Sequence, residues 1–179
     1  LSGKWKVFKN DEAIEEGFVL IGFASTRPTH GSFVAGYTPG TKRARVTSAQ
    51  GRRIITLDGH PAARLYNAWL DGALSDMLES GGVVLSRTSL HPLGRVVDRV
   101  GAVPRYLLSH PEAIDPDGSL SLFTDIQVGD EVVLMLGSQE ALIDRTDQAA
   151  TRASRGADRL RGGVLVYCAG CVGTIGDAA

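Results

Sequence analysis

The amino-acid sequence predicts an α+β fold, a predominantly antiparallel β-sheet with packing helices, and three observations support that prediction. Short β-prone segments flank turn dipeptides such as Gln50-Gly51 and Asp117-Gly118. The stretch 106–137 alternates strand-like segments with turns, which is the pattern of an antiparallel meander. Residues 59–78 instead repeat their apolar residues at three- and four-residue steps, as amphipathic helices do. Residues 139–156 predict a second helix, which follows a capping serine and buries Leu142, Ala149 and Ala153.

The composition is that of an ordinary globular protein. Of the 179 residues, 43% are hydrophobic and 22% are charged, which suffices for one domain, or for one domain and part of another. The 19 basic and 20 acidic residues give a formal net charge of −1, and the densest basic segment, Lys42–Arg45, is short. We therefore expect no nucleic-acid partner.

The sequence shows neither a membrane span nor a secretion signal. No stretch reaches the roughly 18 apolar residues that a bilayer span requires. The first residues lack the charged-then-apolar order of a signal peptide, and two cysteines fit a reducing compartment. We expect a cytoplasmic protein with no membrane partner. Because residue 1 is leucine, we also expect the sequence to be part of a longer chain.

In the first half of the chain, residues 17–26 form an almost continuous apolar run and predict a buried strand. Residues 44–49 and 53–57 flank Gly51, which can adopt the positive φ of a tight turn, so they predict a β-hairpin. Pro61 suits the first position of the next helix, where its missing N–H is not needed. The apolar face of this helix consists of Ala62, Leu65, Tyr66, Trp69, Ala73 and Met77.

In the second half, residues 83–97 return to extended character. Residues 119–126 alternate with a period of two and place three apolar side chains on one face: Leu120, Leu122 and Ile126. Ser138 predicts the N-cap of a helix whose first turn holds Glu140, an acidic residue that the helix dipole favours. Residues 162–167 predict a buried strand that ends at Cys168.

The pair Cys168 and Cys171 allows several interpretations. A strand, Cys-x-x-Cys and an incipient helix are the local arrangement of a dithiol oxidoreductase, but only eight residues follow Cys171, and further strands are needed to complete that fold. A structural zinc site needs about four ligands, and no second cysteine pair accompanies the motif. Cys168 is also explained as a small buried residue of a core strand.

The small residues around the cysteines favour a ligand site. Ala169, Gly170 and Gly173 stand where the strand is predicted to end and a helix to begin, and they leave room for a carboxylate or phosphate beside backbone N–H groups. The glycines are equally explained if they only form the turn. Arg95 is a candidate partner for a carboxylate because a guanidinium can bind it at two points, although most arginines are surface charges.

Four segments, in this order, resemble the FIST family of intracellular sensory proteins. They are residues 36–70, 91–95, 117–135 and 162–176. The most specific pieces are "LDGHPAARLY", "DGSLSLFTDI" and "CAGC". The resemblance covers essentially the whole chain: residues 1–59 resemble the C-terminal part of the FIST N-terminal region, and residues 60–179 resemble the FIST C-terminal domain.

The resemblance implies a bacterial or archaeal sensory module that binds a small molecule, such as an amino acid, and has no catalysis of its own. It also implies a signalling partner such as a histidine kinase, a cyclic-di-nucleotide enzyme or a chemoreceptor. We expect no cofactor. Because some family members are described as haem-containing nitric-oxide sensors, haem remains an alternative, with four scattered histidines as possible ligands: His30, His60, His91 and His110.

Overall fold

A computed structural model describes residues 6–157 and 159–176 of the chain. The chain divides into two compact units, residues 1–31 and residues 32–179. The first unit contains a small antiparallel hairpin of β1 (Val7–Lys9) and β2 (Glu12–Ile14). The other described elements belong to the second unit.

The strands of the second unit are β3 (Tyr37–Gln50), β4 (Arg53–Leu57), β5 (His60–Pro61), β6 (Gly82–Val83), β7 (Leu93–Val100), β8 (Val103–Ser109), β9 (Pro111–Ile114), β10 (Leu120–Leu122) and β11 (Glu131–Gly137). Its α-helices are α1 (Ala62–Trp69), α2 (Leu85–Thr88), α3 (Gln139–Ser154) and α4 (Ala169–Ile175).

These strands form one sheet in the order β6-β9-β10-β4-β3-β11-β7-β8, with β5 paired to β4. The pairings are antiparallel, so the predicted α+β class with a predominantly antiparallel sheet is confirmed. The long strand β3 joins the two halves of the sheet. Its first part, from Tyr37 to Arg45, pairs with β11, and its second part, from Val46 to Gln50, pairs with β4.

Both predicted turn dipeptides form hairpins. Gln50 pairs with Arg53, and Gly51 adopts a φ of 58°, a conformation that glycine reaches without steric cost. The turn at Asp117-Gly118 joins β9 to β10. The rest of the predicted meander is wrong, because β8 pairs with β7 and β11 pairs with β3 and β7. Consecutive strands are often neighbours in a sheet, but not always.

The helix that follows Pro61 is shorter than the sequence pattern predicts. Pro61 lies in β5 and is the N-cap residue of α1 rather than its first helical residue. Asp71 and Gly72 adopt positive φ angles of 51° and 87° just after the helix, which ends the helical path. Met77 therefore lies in a separate short 3₁₀ helix. The extended character predicted for residues 83–97 is likewise interrupted by α2.

Two predicted buried strands are wrong. Residues 17–26 and 162–167 contain no strand, and these large side chains are exposed: Phe18, Leu20, Ile21, Phe23, Val164, Leu165 and Val166. An apolar run favours burial, but a strand also needs a neighbour that satisfies its backbone N–H and C=O groups. Within the described residues, neither segment has such a neighbour.

The main core brings α1 together with the sheet. Tyr66 of α1 is fully buried, and its hydroxyl donates to the carbonyl oxygen of His91 at 2.6 Å. A buried phenol requires such a partner. The aliphatic side chains of this core include Val46, Ile54, Leu57, Leu74, Leu120 and Val132. Leu65 and Trp69 pack at its rim and are only partly buried.

Helix α3 begins as predicted. Ser138 is its N-cap, the Ser138 hydroxyl accepts a hydrogen bond from the backbone N–H of Ala141 at 3.1 Å, and Glu140 lies in the first turn. Leu142 is fully buried. Among the helices described, α3 is the longest with 16 residues, and none is both long enough and apolar enough to pass through a bilayer.

Candidate functional site

The cysteine pair lies at the beginning of α4. Cys168 is the N-cap residue and is exposed, whereas Cys171, one turn later, is buried. The backbone N–H of Cys171 donates to the carbonyl oxygen of Cys168 at 3.0 Å and closes the first turn. The interpretation of Cys168 as a buried core residue is therefore wrong, because Cys171 is the cysteine that faces the interior.

Cys171 belongs to a small hydrophobic cluster outside the main core, which we call the Cys171 cluster. Its members are Tyr37, Leu90, Leu142, Tyr167, Cys171 and Ile175. Cys171 is only 4% exposed, so its side chain is shielded from solvent. The cluster fixes α4 against α3, and the Gln139 side-chain amide adds a hydrogen bond to the carbonyl oxygen of Thr174 at 2.9 Å.

Three polar groups form a triangle at the edge of the Cys171 cluster. The Tyr37 hydroxyl donates to the carbonyl oxygen of Ser89 at 2.9 Å. Nε2 of His110 lies 3.1 Å from the same oxygen and 3.3 Å from the Tyr37 hydroxyl. A proton on Nε2 would let the imidazole donate to Ser89. The Cys171 sulfur, 3.9 Å from the Tyr37 oxygen, brings a thiol into contact with this triangle.

Burial keeps the two rings of this triangle uncharged. It raises the pKa of the Tyr37 hydroxyl, and the neighbouring Cys171 raises it further, so the phenol stays protonated and remains a donor. Burial also lowers the pKa of His110, against the opposite effect of the Ser89 carbonyl. The imidazole is therefore mainly neutral at pH 7.

The Cys168 thiol is activated by its neighbours. Partial burial raises its pKa, but hydrogen bonds from the backbone of Cys171 and Gly170, the Cys171 side chain and the positive charge of Arg145 together outweigh that effect. The pKa of Cys168 is consequently lower than that of an ordinary cysteine. Since the thiolate is the nucleophilic form, the exposed cysteine is the more reactive of the two.

Tyr167, the residue before Cys168, links the cysteine segment to α3. Its hydroxyl donates to the carbonyl oxygen of Leu142 at 2.6 Å. The guanidinium of Arg145 lies 4.3 Å from the centre of the Tyr167 ring, which is a cation–π contact. The same guanidinium donates through Nη1 to the carbonyl oxygen of Ala35 at 3.1 Å. Arg145 thus contacts both the segment before β3 and the segment before α4.

A cavity of ≈ 440 Å³ lies between α3 and the segment that leads into β3. We call it the α3 cavity. It is lined by Phe33, Val34, Ala35, Gly36, Tyr37, Thr38, Ala141, Arg145, Gln148 and Arg152. Tyr37 belongs to both the α3 cavity and the Cys171 cluster, and Arg145 reaches both the cavity and Tyr167. A molecule bound in the cavity would therefore lie beside the residues that support the cysteines.

A second cavity, of ≈ 470 Å³, includes Trp69 in its lining. We call it the Trp69 cavity, and it is lined by Gly40, Thr41, Lys42, Trp69, Leu70, Asp71, Ala73, Arg87, His91, Leu134 and Leu136. Lys42 and Arg87 form ion pairs with Asp71 at 3.7 Å and with Asp76 at 2.6 Å, respectively. Burial lowers the pKa of the His91 imidazole.

The structure does not bring Arg95 to the cysteines. Arg95 forms an ion pair with Asp130 at 3.3 Å and lies opposite Val132 in β11, whereas Tyr37 lies opposite Gly137. Five residues of an extended strand separate these two positions, about 17 Å. The carboxylate-binding role predicted for Arg95 is not supported, because its guanidinium already holds a carboxylate.

The small residues of the motif lie in α4. A Cβ on Gly170 would be 3.7 Å from the Cys168 sulfur, so this sulfur lies close to the first turn. A Cβ on Gly173 would meet open space. Ala169 is the first residue of the helix. The ligand role of Cys168, Ala169, Gly170, Cys171 and Gly173 stays a prediction.

The histidines lie in different environments. His30 and His60 are exposed, His91 lines the Trp69 cavity, and His110 belongs to the polar triangle. Among residues 6–157 and 159–176, no three histidine, cysteine, aspartate or glutamate side chains converge on a possible metal position. Sequence reasoning did not single out Tyr37 or Arg145, because their partners come from distant segments.

The comparisons with known proteins agree with the predicted resemblance. Residues 1–60 match the FIST N domain, and residues 62–179 match the FIST C domain. No curated protein and no solved structure gave a significant match.

Proposed function

The chain belongs to the FIST family of sensory and signalling domains, and we propose that it senses a small carboxylate, such as an amino acid, bound in the α3 cavity. The observation that carries the proposal is the position of Arg145. Its guanidinium lines the cavity and at the same time stacks on Tyr167, the residue before the cysteine pair.

The charge of the cavity suits an anionic ligand. Arg145 and Arg152 both line it, and within the described part of the chain no carboxylate lies within ion-pair distance of Arg145. A guanidinium has five N–H donors, of which Ala35 accepts one, so donors remain for a two-point contact with a carboxylate. Phe33, which is 87% exposed, offers an apolar surface to the rest of the ligand.

Binding can be transmitted through Arg145. A carboxylate bound by the N–H donors that Ala35 leaves free draws the guanidinium toward the cavity, and therefore changes its contact with Tyr167 and the way the cysteine segment is held against α3. The ligand shifts the population of two conformations only by the difference between its affinities for them. A histidine kinase, a cyclic-di-nucleotide enzyme or a chemoreceptor would read that shift. In this proposal the domain itself performs no catalysis and needs no cofactor, and it works in the cytoplasm.

The test is a thermal-shift screen with the twenty amino acids and simple dicarboxylates, each compared with its neutral amide. A ligand at one hundred times its Kd adds about 2.7 kcal/mol to the free energy of unfolding. We expect at least one carboxylate to raise the unfolding temperature of the protein, and the corresponding amide to leave it unchanged. Arg145→Gln should abolish the shift, whereas Arg64→Gln, which removes an exposed arginine of α1, should preserve it. A shift that survives Arg145→Gln contradicts the proposed site.

The Trp69 cavity favours a second candidate, a haem-based gas sensor. His91 is the histidine that lines this cavity, and its lowered pKa keeps the imidazole in the neutral form that ligates a metal. Leu134 and Leu136 supply apolar contacts to the cavity. Bound haem would supply the iron to which a gas such as nitric oxide binds.

Haemin titration separates this candidate from the first. If His91 is the ligand, added haemin gives a Soret band that His91→Ala removes and that His60→Ala, an exposed control, leaves unchanged. Haemin should also raise the midpoint of thermal unfolding, and this increase should follow the absorbance of the Soret band. Haemin that binds equally well to both variants contradicts the assignment to His91.

A further inference from the structure

We propose that Cys168 and Cys171 form a reversible intramolecular disulfide, so that the domain responds to oxidised low-molecular-weight thiols such as glutathione disulfide. The chemical step does not depend on the carboxylate ligand proposed above. Only its consequence for signalling depends on the sensory role of the domain.

The positions of the two cysteines allow the bond. Residues three apart in a helical turn have Cα atoms about 5 Å apart, which lies inside the range of disulfides. The first turn of α4 is closed, with the Cys171 N–H on the Cys168 carbonyl oxygen at 3.0 Å. The Cys168 sulfur lies beside Gly170, only 3.7 Å from where a Cβ would be, and so remains near this turn.

The two cysteines differ in the way that a stepwise exchange requires. Cys168 is exposed and can be reached by a disulfide from solution, whereas Cys171 is 4% exposed and is shielded from a second external reagent. The lowered pKa of Cys168 supports its role as the attacking thiolate. Cys171 is then the resolving thiol, which reacts with its neighbour in the same turn.

The reaction balances as a thiol–disulfide exchange. The Cys168 thiolate attacks one sulfur of the external disulfide RSSR, the S–S bond of RSSR breaks, and one RS⁻ leaves. Cys171 loses its proton to this RS⁻ and attacks the Cys168 sulfur, which releases the second RS⁻. The second RS⁻ takes the proton originally carried by Cys168. Two protein thiols are oxidised by two electrons, and RSSR is reduced to two RSH.

The bond changes the Cys171 cluster. In the reduced protein the Cys171 sulfur lies 3.9 Å from the Tyr37 hydroxyl, within the hydrophobic cluster that holds α4 on α3. In the disulfide it is held about 2.05 Å from the Cys168 sulfur and no longer has an S–H to donate. Oxidation therefore alters the contact between α4 and the polar triangle of Tyr37, Ser89 and His110.

The experiment is alkylation followed by mass spectrometry of the native protein, after incubation with glutathione buffers of increasing oxidised fraction. We expect the wild type to lose both alkylatable thiols together without gaining glutathione. Cys171→Ser should instead retain one glutathione on Cys168. Cys168→Ser should react at least tenfold more slowly, since only the buried thiol remains. Cys171→Ala serves as a second variant if serine in the Cys171 cluster prevents folding.

Two results would overturn the inference: a wild-type mixed disulfide on Cys168 with Cys171 still free, or no reaction at either thiol until the protein is unfolded. The measurement is independent of the ligand screen. If the disulfide forms but no carboxylate stabilises the protein, this inference holds and the proposed ligand is wrong. If a carboxylate binds but no disulfide forms, the proposed ligand is supported and this inference is wrong.

Discussion

The ring of Tyr37 lies directly against Gly137, its partner in the β3–β11 ladder. A Cβ added to Gly137 would come within 2.6 Å of Cε1 of the tyrosine. Real Cβ atoms do not approach so closely, so the ring occupies this position only because residue 137 has no side chain. The same ring carries the hydroxyl that contacts Ser89, His110 and Cys171.

Gly137→Ala should therefore displace Tyr37 and destabilise the protein. We expect a loss of about 1–3 kcal/mol in the free energy of unfolding, the usual cost of overpacking. Chemical denaturation measures it. The matched control is Gly173→Ala, because residue 173 lies in α4 and a Cβ there meets open space. That change should be neutral or should stabilise by up to about 1 kcal/mol. Equal losses for both variants would contradict the contact.

Tyr37→Phe should weaken the protein and alter the cysteines. The change removes a partly buried hydroxyl and leaves the Ser89 carbonyl with one partner fewer, at a cost of about 0.5–1.5 kcal/mol. Tyr66→Phe is the control, since it removes a buried hydroxyl that bonds to His91 in the main core. Both variants should lose stability in urea denaturation. Only Tyr37→Phe should change the rate at which Cys171 is alkylated, and an equal change in both variants argues against the Cys171 cluster.

Asp117→Asn should reduce the sensitivity of the protein to acid. Hydrogen bonds from the Ser119 hydroxyl and backbone, followed by the Arg53 guanidinium at 2.7 Å, lower the pKa of Asp117 to about 2. A carboxyl whose pKa is lower in the folded state stabilises the protein above its ordinary pKa, near 3.8, and this contribution is lost as the pH falls through about 2. Urea denaturation at several pH values between 5 and 2 measures the loss.

The wild-type stability should fall more steeply over this range than that of Asp117→Asn. Asp125→Asn, which removes another exposed carboxylate close to β10, controls for the change in net charge. If the free energy of unfolding depends on pH identically in Asp117→Asn and the wild type, the hydrogen bonds from Ser119 and Arg53 do not stabilise the Asp117 carboxylate in the folded state.

Ser138→Ala should destabilise α3 without disturbing the cysteines. The serine hydroxyl accepts the backbone N–H of Ala141, and loss of such a cap costs about 0.5–2 kcal/mol. Thermal unfolding followed by circular dichroism measures the change. Ser138→Asp retains an acceptor and a favourable charge at the helix start, so it should recover most of the loss. If it does not, the hydroxyl has another role.

Local signals were enough to predict much of the fold. The hairpin at Gly51, the turn at Asp117-Gly118 and the cap at Ser138 each depend on residues within a few positions of one another, and each is present. The order of the strands was not predictable. It depends on β3, whose second part pairs with the next strand, β4, while its first part pairs with β11, which follows much later in the chain.

In the candidate site, too, local features were predictable from the sequence and long-range contacts were not. "CAGC" marks the cysteine pair in the sequence, and the structure places both residues at the start of a helix. Tyr37, however, is 52 residues from Ser89 and 73 residues from His110 in the sequence, and no local pattern connects them. The apolar run at 162–167 indicates burial, but the structure shows exposed side chains there, because composition does not specify a partner.

The path of β3 has a consequence for how this chain can be divided. The two family matches meet between residues 60 and 62, yet β3, which lies wholly in the first match, pairs from Tyr37 to Arg45 with a strand of the second. The border between the two matched modules is therefore not a border between folding units. A polypeptide cut at residue 61 would lose two strand pairings, β3 with β11 and β4 with β10, and so leave four open sheet edges. The pieces would be expected to recombine as a split protein rather than to fold as independent halves.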